Sequence, residues 1–161
     1  MIPTRTNFFG IVFRLCVDQI WDSNASGRVF SRRLAAPVQF NDLIHLFLLL
    51  DELMDKQRFP QAFKDLRTFS SGRQYLPDAL CAKDLASGMG EEEVLGSSGS
   101  CATYALYVAS RRNATWQGQL DLLDGSEPHA FTSVEDLLHT LDEKVFSQQE
   151  ANRPLAFAEV F

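Results

Sequence analysis

Two acidic pairs in the sequence, Asp51-Glu52 and Asp142-Glu143, have residue types that bind metals or perform general acid–base catalysis. Adjacent residues of a helix point about 100° apart, so neither pair converges on a ligand by itself. The pairs could act together only across a symmetry axis. An exposed helix edge, or ion pairs with Arg28, Arg32 or Arg33, explains them without chemistry. We therefore assign no catalytic, metal-binding or cofactor-binding residue and predict that the protein is not an enzyme.

Other chemical motifs are missing from the sequence. It contains no nucleophile elbow, phosphate-binding loop, zinc-protease helix or glycine-rich dinucleotide motif. Its three cysteines lack the spacing of a zinc site, and their odd number argues against a disulfide framework. Free thiols are typical of a reducing compartment, so we predict a cytoplasmic protein.

The composition is that of a globular protein, with 45% hydrophobic and 22% charged residues among 161. No apolar run approaches the roughly 20 residues of a membrane span, and no signal peptide is visible, so we predict no membrane contact. The net charge of −6 argues against nucleic acid as the main partner. The charge is uneven, with +2 on residues 1–69, −3 on residues 70–100 and −5 on residues 101–161.

One stretch of the sequence occurs twice. Residues 12–54 align with residues 103–145 at an offset of 91 without a gap, and nine of these 43 positions are identical. The first-copy members of the identical pairs are Leu15, Val17, Gly27, Pro37, Phe40, Leu46, Leu50, Asp51 and Glu52. We interpret the two stretches as copies of one structural unit.

Each copy has the pattern of two strands followed by a helix, with room for a further short strand before the helix. The predicted strands are 8–17 and 28–34 in the first copy, and 102–110 and 116–123 in the second. Turn-forming residues at 22–27 separate the first two strands. Asn41 or Asp42 begins the first helix and Thr132 or Ser133 the second, because these side chains accept hydrogen bonds from first-turn amides.

A two-stranded ribbon with one helix is too small to be stable alone, but two copies can share a core. We therefore predict an α+β fold in which two tandem β-β-α repeats form a pseudo-twofold antiparallel sheet, with two helices packed on one face. The predicted organisation is 1–69 as the first repeat plus an apolar arm, 70–100 as a partly flexible Gly/Ser/Glu-rich linker, 101–146 as the second repeat and 147–161 as a tail.

The first predicted helix has more than one apolar face, whereas the second has a single apolar stripe. The first helix should therefore lie within the core or form an interface. We select Ile44, Phe47, Leu48 and Leu49 as candidate interaction residues, either between the repeats or between copies of the protein.

Arg111 and Arg112 lie close in sequence to Trp116 and complete the candidate interaction residues. A tryptophan at a hairpin end can anchor a protein partner, and a basic-aromatic patch can stack on a single-stranded base.

The segment 111–118, R-R-N-A-T-W-Q-G, followed by Phe131-Thr132-Ser133, resembles a pattern in small uncharacterised proteins of gut Clostridia, R-Q-N-A-T-W-Q-G and then F-x-S-x-x-E-L. The first copy, with Gly27, Phe40 and Asp51-Glu52, looks like another small protein type of these bacteria. The resemblance implies a bacterial protein and brings no known activity.

We predict a non-enzymatic protein–protein interaction or regulatory module that acts through a protein partner or self-association. One alternative is a nucleic-acid-associated regulator that uses the arginines of the strands and hairpin, namely Arg28, Arg32, Arg33, Arg111 and Arg112. The other alternative is a small metal- or carboxylate-dependent enzyme centred on the acidic pairs.

Overall fold

A computed structural model describes residues 11–58, 60, 76–84 and 86–146, with side chains described as far as residue 144. Within these residues the protein has an α+β fold with one six-stranded antiparallel sheet and three helices, so the predicted α+β class with an antiparallel sheet is confirmed. The strands are β1 (Ile11–Trp21), β2 (Asn24–Phe30), β3 (Val38–Phe40), β4 (Ala102–Ser110), β5 (Gln117–Asp121) and β6 (His129–Phe131). The helices are α1 (Leu43–Gln57), α2 (Glu91–Gly96) and α3 (Val134–Leu141), and the strand order is β3-β2-β1-β4-β5-β6.

Positions 91 residues apart make the same pairings in the sheet. Gly27 lies opposite Phe40, and Gly118 lies opposite Phe131. The same offset relates the pair Leu15 and Val29 to the pair Leu106 and Leu120. Both β1 and β4 carry an irregularity at equivalent places, between Val17 and Gln19 and between Val108 and Ser110. At the centre of the sheet β1 pairs with β4, and Arg14 lies opposite Ala105.

Two glycines permit close approach of the strands. A Cβ atom on Gly27 would clash with the carbonyl oxygen of Cys16, and one on Gly118 would clash with that of Tyr107. Because any side chain would force the neighbouring backbone aside, both positions require glycine.

The first hairpin turn is tighter than the predicted reversal at 22–27. Asp22 and Ser23 alone form it, with φ values of 43° and 58°, so β2 begins at Asn24 and ends at Phe30. Asn113 and Ala114 have similar φ values, 54° and 62°, in the turn between β4 and β5. Two left-handed residues in succession give the turn a twist that matches the strands it joins.

The second apolar side of α1 is covered by residues 76–82. Leu76 shares an apolar crevice with Leu49 and Leu53 of α1 and with residues of the sheet. Lys56 Nζ donates a hydrogen bond of 2.6 Å to the Leu76 carbonyl, and Gln57 Nε2 donates one of 2.7 Å to the Ala82 carbonyl. This arrangement covers Leu49 and Leu53, whereas Ile44 at the start of α1 stays exposed.

Residues 97–100 lie across the face of the sheet that carries Arg14 and Asp18. Arg14 Nε donates to the Ser97 carbonyl at 3.2 Å, and the Ser100 N–H donates to Asp18 Oδ1 at 3.0 Å. Arg28 links both parts, because it binds Asp18 at 3.0 Å and the Ser98 carbonyl at 2.8 Å. Of the predicted linker 70–100, residues 70–75 and 85 lie outside the described residues, as do the arm at 61–69 and the tail 147–161.

Candidate interaction surface

The four candidate residues of α1 differ in exposure. Phe47 and Leu49 are buried in the core, with 8% and 3% of their surface exposed, and Leu48 is half-buried. Ile44 is 72% exposed, the highest value among the exposed large hydrophobic residues of the described chain. Ile44 is therefore the member of this set that an external partner can reach most directly.

Side chains fix the start of α1 and so the position of Ile44. Asp42 Oδ1 accepts a hydrogen bond of 2.7 Å from the His45 N–H, and His45 Nδ1 accepts one of 3.0 Å from the Asn41 N–H. Asn24 Oδ1, from the first hairpin, accepts from the Leu43 N–H at 2.8 Å. These bonds satisfy amides at the helix N-terminus that have no partner within the helix.

The same three bonds occur at the start of α3, although the residue types differ. Ser133 Oγ accepts from the Asp136 N–H at 3.0 Å, Asp136 Oδ2 accepts from the Thr132 N–H at 3.0 Å, and Thr115 Oγ1 accepts from the Val134 N–H at 2.7 Å. Each of these five residues stands 91 positions after its counterpart in the first copy.

Arg111 lies beneath the surface, where it joins the end of β4 to the end of α1. Arg111 is 6% exposed, and its Nη1 atom lies 2.6 Å from Asp55 Oδ1 and 4.0 Å from Asp51 Oδ1. Its Nε donates to the Pro60 carbonyl at 2.7 Å, and its Nη2 donates to the Met54 carbonyl at 3.3 Å. The guanidinium therefore serves an internal ion pair and two backbone acceptors.

Trp116 is also internal, with 1% of its surface exposed. Its ring packs edge-on against Phe47, with 5.7 Å between ring centroids. The neighbouring Gln117 closes the hairpin turn, because its Nε2 donates to the Arg112 carbonyl at 3.1 Å and its Oε1 accepts from the Arg112 N–H at 2.8 Å. Of Arg111, Arg112 and Trp116, the structure thus exposes only Arg112 and does not join the three as one surface patch.

The acidic pairs make separate contacts. Asp51 is buried near Arg111, and Glu52 accepts a hydrogen bond from the Leu76 N–H. In the second pair, Glu143 lies 3.3 Å from His139 Nε2. Within the described ranges, no group of three or more His, Cys, Asp or Glu residues is placed to hold a metal ion.

The arginines of the nucleic-acid hypothesis are dispersed. Arg28 binds Asp18, and Arg111 lies in its internal ion pair. Arg33 donates to Gln57 Oε1 at 3.3 Å, and burial lowers the pKa of its guanidinium. Arg32 and Arg112 are exposed, and they stand in connections at the same end of the sheet.

The two ends of the strands carry opposite charge in their connections. All neighbouring strands are antiparallel, so β1, β3 and β5 run toward one end of the sheet. The strands β2, β4 and β6 start from that same end. The connections there, 22–23, 41–42 and 122–128, contain Asp22, Asp42, Asp124 and Glu127 and no Lys or Arg. The connections at the opposite end, 31–37, 111–116 and 132–133, contain Arg32, Arg33, Arg111 and Arg112 and no Asp or Glu.

Three exposed hydrophobic residues accompany the acidic connections. Trp21 is 40%, Ile44 72% and Leu123 42% exposed, and the remaining exposed large hydrophobics of the described chain lie on α2 and α3. Trp21 pairs with Asn24, whose side chain binds the residue before Ile44. We call these three residues, together with Asp22, Asp42, Asp124 and Glu127, the acidic end.

The sequence did not mark Trp21 or Leu123 as candidates, because both adjoin turn-forming residues. A comparison of the two copies could have identified Trp21 and Leu123, because the equivalent residues differ in character. At an offset of 91, Trp21 corresponds to Arg112, and Leu123 corresponds to Arg32. Ile44 corresponds to Glu135 in the same way. Each exposed apolar residue of the acidic end therefore has a charged counterpart.

No helix in the described part of the chain is both long and apolar enough to cross a membrane. No family model, curated protein or solved structure matches this chain.

Proposed function

We propose that this protein is a non-enzymatic protein–protein interaction or regulatory module that contacts its partner through the acidic end. The observation that carries the proposal is the exposed pair Trp21 and Ile44, which Asn24 connects because it pairs with Trp21 and its side chain binds the Leu43 N–H. Leu123 is exposed in another connection at the same end of the strands. Single exposed hydrophobic residues are ordinary, whereas several at one place mark interaction sites. Tryptophan is also among the residues that contribute most to binding energy at interfaces.

We infer further that the chain is a fused pseudo-dimer of two β-β-α repeats, with α1 and α3 on one face of the sheet. The identical pairing registers 91 positions apart support this inference. The capping bonds support it more strongly, because Asn24 and Thr115 make the same bond with different chemistry, as do His45 and Asp136. Such a pattern is expected if two copies kept the same backbone structure while their side chains diverged.

The fusion of two repeats into one chain explains why only one end of the sheet would serve as the interaction surface. In a symmetric dimer, both ends would carry the same residues. In one chain the copies can diverge, so Trp21 and Ile44 stand at one end while Arg112 and Glu135 stand at the equivalent positions of the other copy.

We also propose a bacterial cytoplasmic setting. The resemblance of residues 111–118 to proteins of gut Clostridia supports the source. The described cysteines, buried Cys16, half-buried Cys81 and exposed Cys101, are free thiols, which suits a reducing compartment.

Affinity purification of the tagged full chain tests the interaction proposal. The test variant carries Trp21→Ser, Ile44→Ser and Leu123→Ser. The matched control carries Leu95→Ser and Leu138→Ser, which remove exposed apolar residues from α2 and α3. Circular dichroism establishes that all three proteins are folded, and an untagged copy of the chain is included to detect self-association.

We expect the wild-type protein and the control to retain a protein, or the untagged copy, that the test variant loses. Retention of the same proteins by all three baits contradicts the role of the acidic end. Absence of any specific capture by the wild-type protein contradicts the interaction module itself.

A further inference from the structure

The charges of the acidic end are not balanced by cations in its own connections. Asp22, Asp124 and Glu127 are exposed, and the three connections contain no Lys or Arg. Hydrogen bonds from the side chain and the N–H of Ser126 hold the pKa of Asp124 below its ordinary value, so this carboxylate stays ionised at neutral pH. Arg28 forms its ion pair with Asp18, which lies on a face of the sheet and outside these connections.

Each of the apolar residues is a near neighbour of a carboxylate in the sequence. Asp22 directly follows Trp21, Asp42 stands two residues before Ile44, and Asp124 directly follows Leu123. A surface that alternates apolar and anionic side chains is complementary to one that alternates apolar and cationic side chains. Such a pattern is typical of basic amphipathic helices, which place an apolar face against a hydrophobic surface.

We propose that the acidic end binds a basic amphipathic segment of a partner protein, with Trp21 and Ile44 as the apolar anchors and Asp22 and Asp124 as the charge contacts. This inference rests on the proposed function and adds the chemistry of the partner.

The other possible occupants lack this complementarity. Nucleic acid and anionic lipid surfaces carry the same sign of charge as the acidic end, so both are repelled. A second copy of the chain offers exposed Arg32 and Arg112 at its opposite end, but Leu34 and Trp116 there are 2% and 1% exposed. Within the described residues, the connections at that end supply cations but no exposed large hydrophobic residue.

Calorimetric titration of the full chain with a defined probe tests the inference. The probe is a synthetic helical peptide of leucine and lysine with its leucines on one face, and the reference peptide has glutamate in place of lysine. One variant, Trp21→Ser with Ile44→Ser, removes the anchors. A second, Asp22→Asn with Asp124→Asn, removes two charges and leaves the helix cap Asp42 intact. The matched charge control is Glu91→Gln with Glu92→Gln on α2.

We expect the lysine peptide to bind and the glutamate peptide not to bind. Each acidic-end variant should raise the Kd by about tenfold or more, as expected for loss of central interface contacts, while the α2 control leaves it unchanged. In the wild-type protein, hydrogen-exchange protection by the peptide should fall on residues 20–24, 41–45 and 121–127, a readout that needs no variant.

Equal weakening by the α2 control and the Asp22/Asp124 variant overturns the proposal, because binding would then follow net charge alone. Equal binding of the glutamate peptide, or protection elsewhere on the chain, also overturns it. If the lysine peptide fails to bind but affinity purification yields a partner that depends on the acidic end, the proposed function stands and the basic partner is wrong. If both experiments fail, both proposals are wrong.

Discussion

Arg111 Nη1 lies 2.6 Å from Asp55 Oδ1, across a contact that joins β4 to the last turns of α1. The arginine side chain is 7% exposed, whereas that of Asp55 is 36% exposed. This ion pair and the packing of Trp116 on Phe47 tie the first helix to residues of the second copy. At the offset of 91, Arg111 corresponds to Ile20, so this ion pair has no counterpart at the equivalent positions.

Replacement of Arg111 by Met should lower the free energy of unfolding by about 2–3 kcal/mol, because the buried Asp51 and two backbone carbonyls lose their cationic partner. Urea unfolding measures this loss. Arg112→Met is the matched control, since Arg112 is exposed, and it should change stability by less than about 0.5 kcal/mol. Equal losses in the two variants would show that the internal ion pair adds no stability.

Replacement of Trp116 by Ala, the residue at the corresponding position 25, should cost about 3–5 kcal/mol, because a fully buried ring leaves a cavity against Phe47. Phe47→Leu, which copies Leu138, should cost less, about 1 kcal/mol. Thermal unfolding compares both with Leu138→Ala, where 37% of the side chain is already exposed. A Trp116→Ala protein as stable as Leu138→Ala would contradict the packing role of this ring.

The sequence predicted the elements of the fold more fully than it predicted its surface. The predicted strand 102–110 coincides with β4, and Asp42 and Ser133 occupy the predicted cap positions. Local alternation and capping chemistry determine these features. The first turn was predicted to be too long, because Asp22 and Ser23 adopt left-handed conformations that let β2 start at Asn24.

Long-range contacts could not be predicted from the sequence. The second apolar face of α1 lies against Leu76, and Arg111 binds a carboxylate 56 residues away. Neither contact has a local pattern. The placement of Trp21, Ile44 and Leu123 at the same end of the strands likewise requires the strand order, because these residues are far apart in the chain.

Replacement of His45 by Asp should stabilise the start of α1 by about 0.5 kcal/mol. Asp136 makes the equivalent hydrogen bond in α3, and a negative charge in the first turn interacts favourably with the helix dipole, whereas α1 has no acidic residue there. Asp42→Ala should instead cost about 1 kcal/mol through loss of the cap. Chemical denaturation measures both changes. A destabilised His45→Asp protein would contradict the equivalence of the two helix starts.

Acid should weaken the attachment of residues 97–100 to the sheet through Asp18. The hydrogen bond from Arg28 holds the pKa of Asp18 below its ordinary value. The ionised carboxylate therefore adds stability above its unfolded-state pKa of about 4, and this stability is lost as the pH falls through the lower folded-state pKa. Because both side chains are about one third exposed, the effect should stay below about 1 kcal/mol.

Asp18→Asn should flatten this acid-side loss, as measured by urea unfolding between neutral pH and about pH 3. Asp22→Asn, four residues further along at an exposed turn, is the control. An acid-side slope that is unchanged in Asp18→Asn would show that another group causes it.

Alkali should destabilise the core through Tyr104, which is 7% exposed opposite Leu15. Desolvation raises the pKa of its phenol to about 12, so the folded protein favours the neutral form. Stability is therefore complete below the unfolded-state pKa of about 10 and falls as the pH rises toward the folded-state value, by about 1.4 kcal/mol for each pH unit. Tyr104→Phe, which copies Phe13 of the first copy, should remove this loss. Unfolding free energies measured from about pH 9 to about pH 11 should diverge between the two proteins, and parallel curves would exclude Tyr104 as the cause.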